Sequence, residues 1–217
     1  MLANLYMHYA FDRWMVTQNP NNPWVRYADD AVIHCRTKEE AEDLLERLKA
    51  RLTTCRLEVH PDKTRIVYCH SGANKERHDH ESFDFLGYTF RCRWVKTKRG
   101  NFFLSFSAAA SKAAVQGFKE KMRACRIAGK QMTPSQLAGL MNPIIRGWAN
   151  YFMKYGSKEA RNKALYYVNS LLVQWARKRY KRLSGSRGKA YKWLCEIAKV
   201  KPDLFFHWHL GLKPAMG

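Results

Sequence analysis

The strongest constraint in this sequence is a break near residue 108, where charge balance and hydrophobic pattern change together. Residues 1–107 hold 17 basic and 14 acidic side chains, whereas residues 108–217 hold 22 basic and 4 acidic. Before the break, short β-prone runs alternate with turns and one amphipathic stretch. After it, apolar residues recur at helical spacing. An α+β fold follows, with antiparallel strands and a helix over 1–107 and an all-helical region over 108–217. A formal net charge of +21 repels itself unless a polyanion neutralises it. Aromatics interleaved with the cations favour nucleic acid over a membrane surface.

Hydrophobic residues make up 46% of the chain, so a core can be buried and global disorder is excluded. No uninterrupted apolar run approaches the roughly 20 residues that span a bilayer. The opening residues lack the basic-then-apolar pattern of a secretion signal, and a soluble, cytoplasmic chain is the expectation. The six cysteines form no CxxC pair and read as reduced, buried thiols. A zinc site at Cys69, His70, His78 and His80 is the sharper alternative, although its spacing matches no common ligand pattern.

The local pattern predicts a helix over 5–16, with apolar side chains at near-helical spacing: Leu5, Tyr9 and Trp14, with Met7, Ala10 and Phe11 between them. A hairpin, Trp24–Tyr27 and Ala31–Cys35, follows around Asp29-Asp30. Thr37 opens a capped helix with the stripe Ala41, Leu44, Leu45, Leu48 and Leu52. Leu57–His60 and Thr64–Cys69 read as strands, Ser71–Ser82 as a mobile loop, and Phe83–Arg91 with Asn101–Ser107 as a strand pair. The remainder reads as helices: Ser111 to about Ala128; one capped at Thr133 and interrupted at Asn142-Pro143; one from Gly156-Ser157 to about Leu183; and Lys189–Val200. Ser184–Gly188 reads as a flexible basic joint.

Tyr27-Ala28-Asp29-Asp30 carries the chemistry. Two adjacent carboxylates between hydrophobic strands are costly unless they share a cation. Mg²⁺ takes such hard oxygen ligands while leaving positions for phosphates. Nucleotide transfer uses two such ions about 4 Å apart. The plain alternative is an inconsequential Asp-Asp turn. The basic run Arg177-Lys178-Arg179-Tyr180-Lys181-Arg182, extended by Arg187, Lys189 and Lys192, is a phosphate-binding surface or, more modestly, a set of cations favouring a helix C-terminus.

The order of the motifs goes further. Trp24-Val25-Arg26-Tyr27-Ala28-Asp29-Asp30, then Leu57-Glu58-Val59-His60-Pro61-Asp62-Lys63, then Phe83-Asp84-Phe85-Leu86-Gly87-Tyr88 resembles the ordered motif series of group II intron reverse transcriptases. Leu140-Met141-Asn142-Pro143-Ile144-Ile145-Arg146-Gly147-Trp148 resembles the maturase signature, domain X, which also serves as the polymerase thumb. The resemblance implies a partial palm over 1–107 and a thumb/maturase region over 108–217. It implies RNA-directed DNA polymerase and splicing activity, Mg²⁺ as cofactor, and group II intron RNA with a DNA primer or target as partners. Asp29 would be a metal ligand and Asp30 its support. Lys63 would be a proton donor to pyrophosphate, or a turn lysine in solvent. Phe85, Leu86, Gly87 and Tyr88 would form the primer grip, with Gly87 letting a backbone approach closely, or else an ordinary buried strand; Arg146 with the basic run would contact RNA. The aromatic stripe Trp148, Phe152 and Tyr155 reads as core before RNA platform, and Leu204–Trp208 as packing for the last helix.

In that family the stretch Leu2-Ala3-Asn4-Leu5-Tyr6 follows a Pro-Gln-Gly-Gly motif. The resemblance therefore implies that the fingers and the first palm aspartate lie before Leu2, and the expectation is a chain inactive as a polymerase alone. Three readings stay open: an enzyme whose upstream half is encoded before Met1 or in a separate chain, a non-catalytic RNA-binding maturase, and an inert remnant of a mobile element.

Overall fold

The computed structural model describes residues 2–70, 78–97, 99–154 and 158–215. It is a mixed helix-and-sheet protein of two compact units, residues 1–83 and 84–217. The division falls inside a strand, upstream of the change of texture near residue 108. By unit, the charge asymmetry is sharper: 12 basic against 13 acidic residues in the first, 27 against 5 in the second.

The first unit opens with one continuous helical run: α1 (Leu2–Met7), a π-helical turn (His8–Asp12) and α2 (Arg13–Gln18). The wider π turn rotates the face after it, so the buried residues are Ala10, Phe11 and Met15, whereas Leu5 and Tyr9 are exposed. Of the apolar residues spaced for a helix, Ala10 and Phe11 are buried and Met7 and Trp14 pack against them, whereas Leu5 and Tyr9 face solvent. β1 (Trp24–Tyr27) and β2 (Asp30–Ile33) form a two-stranded antiparallel sheet with Tyr27 opposite Asp30. Asp30 is thus a strand residue, not part of the loop. α3 (Lys38–Thr54) starts at the Thr37 cap and buries Leu44, Leu48 and Leu52. Leu48 and Leu52 share a small core with Ala10, Phe11 and Met15.

Residues 57–60 and 64–70 belong to no helix or strand, with Tyr68 N donating to His80 O at 2.8 Å. Leu57 and Val59 pack against the small core while Glu58 and His60 face out, which reproduces strand alternation without a hydrogen-bonded neighbour. Of the segment read as a loop, residues 71–77 lie outside the described residues.

In the second unit, β3 (Ser82–Phe85), β4 (Tyr88–Lys96) and β5 (Phe102–Ala110) form one sheet in that order. Phe83–Arg91 is therefore two strands folded at Leu86-Gly87, not one. Both turn residues have positive φ, 51° and 78°, the backbone of a type I′ hairpin turn. α4 (Lys112–Ala124) is capped by Ser111 and stops before Arg126, whose φ of 46° is left-handed.

α5 (Pro134–Phe152) begins with a reciprocal capping box between Thr133 and Gln136. It runs unbroken through Pro143, against the expected interruption. Asn142 instead uses its side chain on the C-terminal segment, donating to Leu204 O (3.1 Å) and accepting from Phe206 N (2.9 Å). α6 (Lys158–Arg179) ends earlier than Leu183, because Lys181–Leu183 tightens into a 3₁₀ turn. The expected closure at Gly156-Ser157 lies outside the described residues.

α7 (Arg187–Val200), capped by Ser186, absorbs Arg187 and Gly188 into its first turn, in place of the expected loose joint. α8 (Phe206–His209) seats Phe205, His207 and Trp208 in the interior. These pack with Met141, Ile145, Leu165, Leu172 and Trp175 in a continuous core. Asn169 ties α8 down: its amide oxygen accepts from Trp208 Nε1 at 2.8 Å and lies 2.8 Å from His207 Nε2. Burial holds the His207 imidazole neutral, its pKa pushed down to about 3. No helix among the described residues is long and apolar enough to cross a membrane.

Candidate active-site turn and nucleic-acid interface

In the first unit, Ala28 and Asp29 make the turn between β1 and β2, with Ala28 at φ 54°. A non-glycine residue in this region costs on the order of 1 kcal/mol, so something must hold it there. Arg26 does. Its Nη1 donates to Ala28 O at 2.6 Å, while Nε and Nη2 each donate to the Asp12 carboxylate at 2.6 Å. Asp12 stands at the end of the π-helical turn, so the irregular helix and the hairpin turn are locked by one fork. The Arg26 hydrogen bonds depress the Asp12 pKa, and Asp12 raises that of Arg26.

The motif pattern does not single out Arg26 as a site residue. The available signal is register: Arg26 shares the inward face with Trp24, which packs edge-on to Phe11 with centroids 5.3 Å apart. An inward arginine requires a counter-charge.

The result is a turn that carries Asp29 and Asp30, both exposed, on a braced base. Among the described residues no third acidic, His or Cys side chain joins them in a group able to hold a metal ion, and the Cys69, His70, His78 and His80 segment forms no such group either. Two exposed, hard oxygen donors fit part of a Mg²⁺ ligand set and leave it incomplete. Lys63 is exposed on the turn 61–63, without an ion pair to either aspartate among the described residues.

In the second unit, the Phe85-Leu86-Gly87-Tyr88 turn docks on α5 through two tyrosines. Tyr88 Oη donates to Tyr151 O (2.5 Å), and Tyr151 Oη donates to Leu86 O (2.9 Å). Gly87 is needed twice, for its φ of 78° and because a Cβ there would meet Phe152 Cζ at 3.3 Å. Where the sequence predicts the close approach of a backbone to Gly87, the group that approaches is a side chain of α5. Trp148 and Phe152 join Phe118 and Tyr88 in a chain of ring contacts and serve packing, while Tyr155 lies outside the described residues.

The expected RNA contacts divide by how far each side chain is already engaged. Arg177 is half-buried and donates through Nε and Nη2 to Ser184 O, closing the end of α6. Arg179 lies over Tyr180, and Arg146 over Phe206 at 5.2 Å from the ring centre, and both residues are exposed. Lys178, Lys181, Arg182, Arg187, Lys189 and Lys192 are all exposed. Lys119 and Arg123 on α4 converge on the Tyr167 ring, a basic-aromatic group that the scattered spacing of those residues does not reveal.

A family model for reverse transcriptase (RNA-dependent DNA polymerase) matches residues 1–90, which contain the braced Asp29 turn and end at the Gly87 hairpin. A model for the group II intron maturase-specific domain matches residues 115–193, from within α4 to within α7. Among curated proteins compared with the chain, none matches. The first match sets the class, the reverse-transcriptase type of nucleic-acid polymerase. With the maturase domain following it in one polypeptide, the chain belongs to the group II intron reverse transcriptase/maturases.

Proposed function

We propose that the second unit of this chain grips folded intron RNA through the surface where α6 ends and α7 begins. We propose also that the Asp29 turn supplies part of the Mg²⁺ site of an RNA-directed DNA polymerase. The observation that carries the RNA reading is at α7. Arg187 and Lys189 stand in its first turn, with no acidic residue there. Cations at a helix N-terminus oppose the helix dipole, so helix stability does not account for them. A phosphate backbone does, and Lys178, Lys181 and Arg182 at the neighbouring C-terminus of α6 extend the same surface.

For the polymerase, Asp29 and Asp30 would hold Mg²⁺, which when bound activates the attacking hydroxyl and stabilises the leaving oxygen. The chain's own part is to present those carboxylates on the Arg26 brace. Lys63 would donate a proton to the departing pyrophosphate, and the Phe85–Tyr88 turn would hold the primer end. A further carboxylate must come from residues other than those described, in this polypeptide or another. A second reading, an RNA-binding maturase that does not polymerise, is supported by the lack of a third acid beside Asp29 among the described residues.

Binding to one group II intron RNA is expected to exceed binding to unrelated RNA of equal length at physiological salt. Equal affinities would reduce the arm to a nonspecific polycation. Replacing Lys181 and Arg182 with Ala should lower the salt slope by about one for each phosphate no longer neutralised. Primer extension on an RNA template separates the two readings. The polymerase reading expects none from this chain alone and recovery, abolished by Asp29→Ala, when a chain bearing the missing palm carboxylate is added. No recovery leaves the maturase reading.

A further inference from the structure

The β4–β5 ribbon runs past β3, which is four residues long against nine in each of the other two strands. Its far end is closed by Thr97 N to Asn101 O at 2.7 Å and Gly100 N to Thr97 O at 3.0 Å. That end carries large aromatic side chains in solvent. Trp94 is 68% exposed, Phe102 64% and Phe103 46%. The register places Trp94 opposite Leu104 and Val95 opposite Phe103. Trp94 and Phe102 therefore share one face of the ribbon, and Phe103 lies on the other.

Among the described residues Trp94 and Phe103 touch no other ring, so ring packing within the ribbon does not account for them. The charge around them is of one sign. From Leu86 to Ala110 there are five basic residues and no acidic one. Arg93 is occupied by the carbonyl oxygens of Thr89 and Ser107; Arg99, in the turn that closes the ribbon, is exposed, and Arg91 is exposed on the face opposite Trp94 and Phe102. Like charge on every copy opposes pairing of two ribbons edge to edge.

Exposed rings on a basic ribbon whose closing turn carries an exposed arginine have a natural occupant in unpaired nucleotides, whose bases stack on the rings while the cation takes a phosphate. We propose that the tip of the β4–β5 ribbon is a second RNA contact, specific for single-stranded segments, with Trp94 and Phe102 as stacking platforms. It rests on the reading of the second unit as RNA-binding, and it adds a preference for unpaired bases that the cationic arm, meeting only phosphates, would not supply.

The test uses the whole chain and labelled oligouridine, with a blunt RNA duplex of the same length as the second probe. Substituting both Trp94 and Phe102 with Ala should weaken oligouridine binding on the order of tenfold and duplex binding less than twofold. Trp94→Phe, which keeps a ring, should recover most of the loss. Tryptophan quenching by oligouridine in the unaltered chain should disappear in Trp94→Phe. Trp94 is 68% and Phe102 64% exposed, so thermal melting should fall by no more than about 4 °C. Unchanged oligouridine affinity in the double variant overturns the proposal, as does an equal loss for both probes. Loss in the double variant of self-association, or of binding to anionic vesicles, would identify a different occupant and also overturn it. Weakening of both probes by the Lys181 and Arg182 substitutions alone would leave the RNA-binding reading intact while this inference falls. No RNA binding by the unaltered chain would remove both.

Discussion

The two units differ in how completely each satisfies itself. The second buries a continuous core that includes Trp175, Trp208, Phe118 and Phe205, and it pins its last helix with the Asn169 network. The first has a core of five buried residues and leaves Leu2, Leu5, Tyr6, Tyr9, Val16 and Tyr27 exposed. It is near neutral, whereas the second carries almost all of the positive charge. Self-repulsion on the scale of the second unit is tolerable only because its core is large. The first unit adds specific polar braces such as Arg26–Asp12 to its small core, and its candidate site rests on that one. A chemically exacting turn on a small core and a strongly charged surface on a large core are different solutions to presenting a site.

Substitutions that separate these two supports test the contrast. The largest effect is expected at Trp208→Ala, which empties a fully buried site and should cost about 3–5 kcal/mol in chemical denaturation of the second unit. A loss below about 1 kcal/mol would mean that α8 is a dispensable lid.

Acid comes next. The unfolded chain protonates His207 near pH 6.5, the folded chain only near 3. Between these values the unfolded state binds more protons, so the stability present above 6.5 is lost progressively as pH falls. The loss should reach about 2 kcal/mol by about pH 5. His207→Gln should flatten this slope, and an unchanged slope would assign the acid sensitivity elsewhere.

Asp12→Ala should destabilise the first unit by about 2 kcal/mol, since it strands the Arg26 guanidinium. Hydrogen exchange at the Ala28–Asp30 amides should quicken while α5–α7 are unaffected. Spread of the effect into the second unit would break the comparison.

The smallest effect is expected at Gly87→Ala, about 1–2 kcal/mol from positive φ and contact with Phe152. Phe152→Leu in the same background should recover the steric part but not the conformational part.

Much of the architecture is legible from residues alone. The Thr37 and Thr133 caps act within a few positions, so spacing is enough to read them. The Leu44–Leu48–Leu52 stripe is legible for the same reason, as is the hairpin around Asp29. What stays hidden requires a partner distant in sequence. Leu57–Val59 alternates like a strand, but whether it is one depends on a neighbouring strand. Pro143 marks a break by local rules, yet α5 passes through it while Asn142 engages Leu204 and Phe206, some sixty residues away.

The candidate site divides along the same line. The order of its motifs, the paired acids at the turn and the concentration of positive charge were set by the sequence, because composition and short spacing depend on no distant contact. Tertiary structure alone decided that Arg26 spans from Asp12 to Ala28, that Tyr151 clamps the Gly87 turn, and that Arg177 is engaged on Ser184 while Lys181 and Arg182 stay exposed. Each of these depends on which hydrogen-bond acceptor or ring a long side chain meets in space, and that is settled only when the chain has packed.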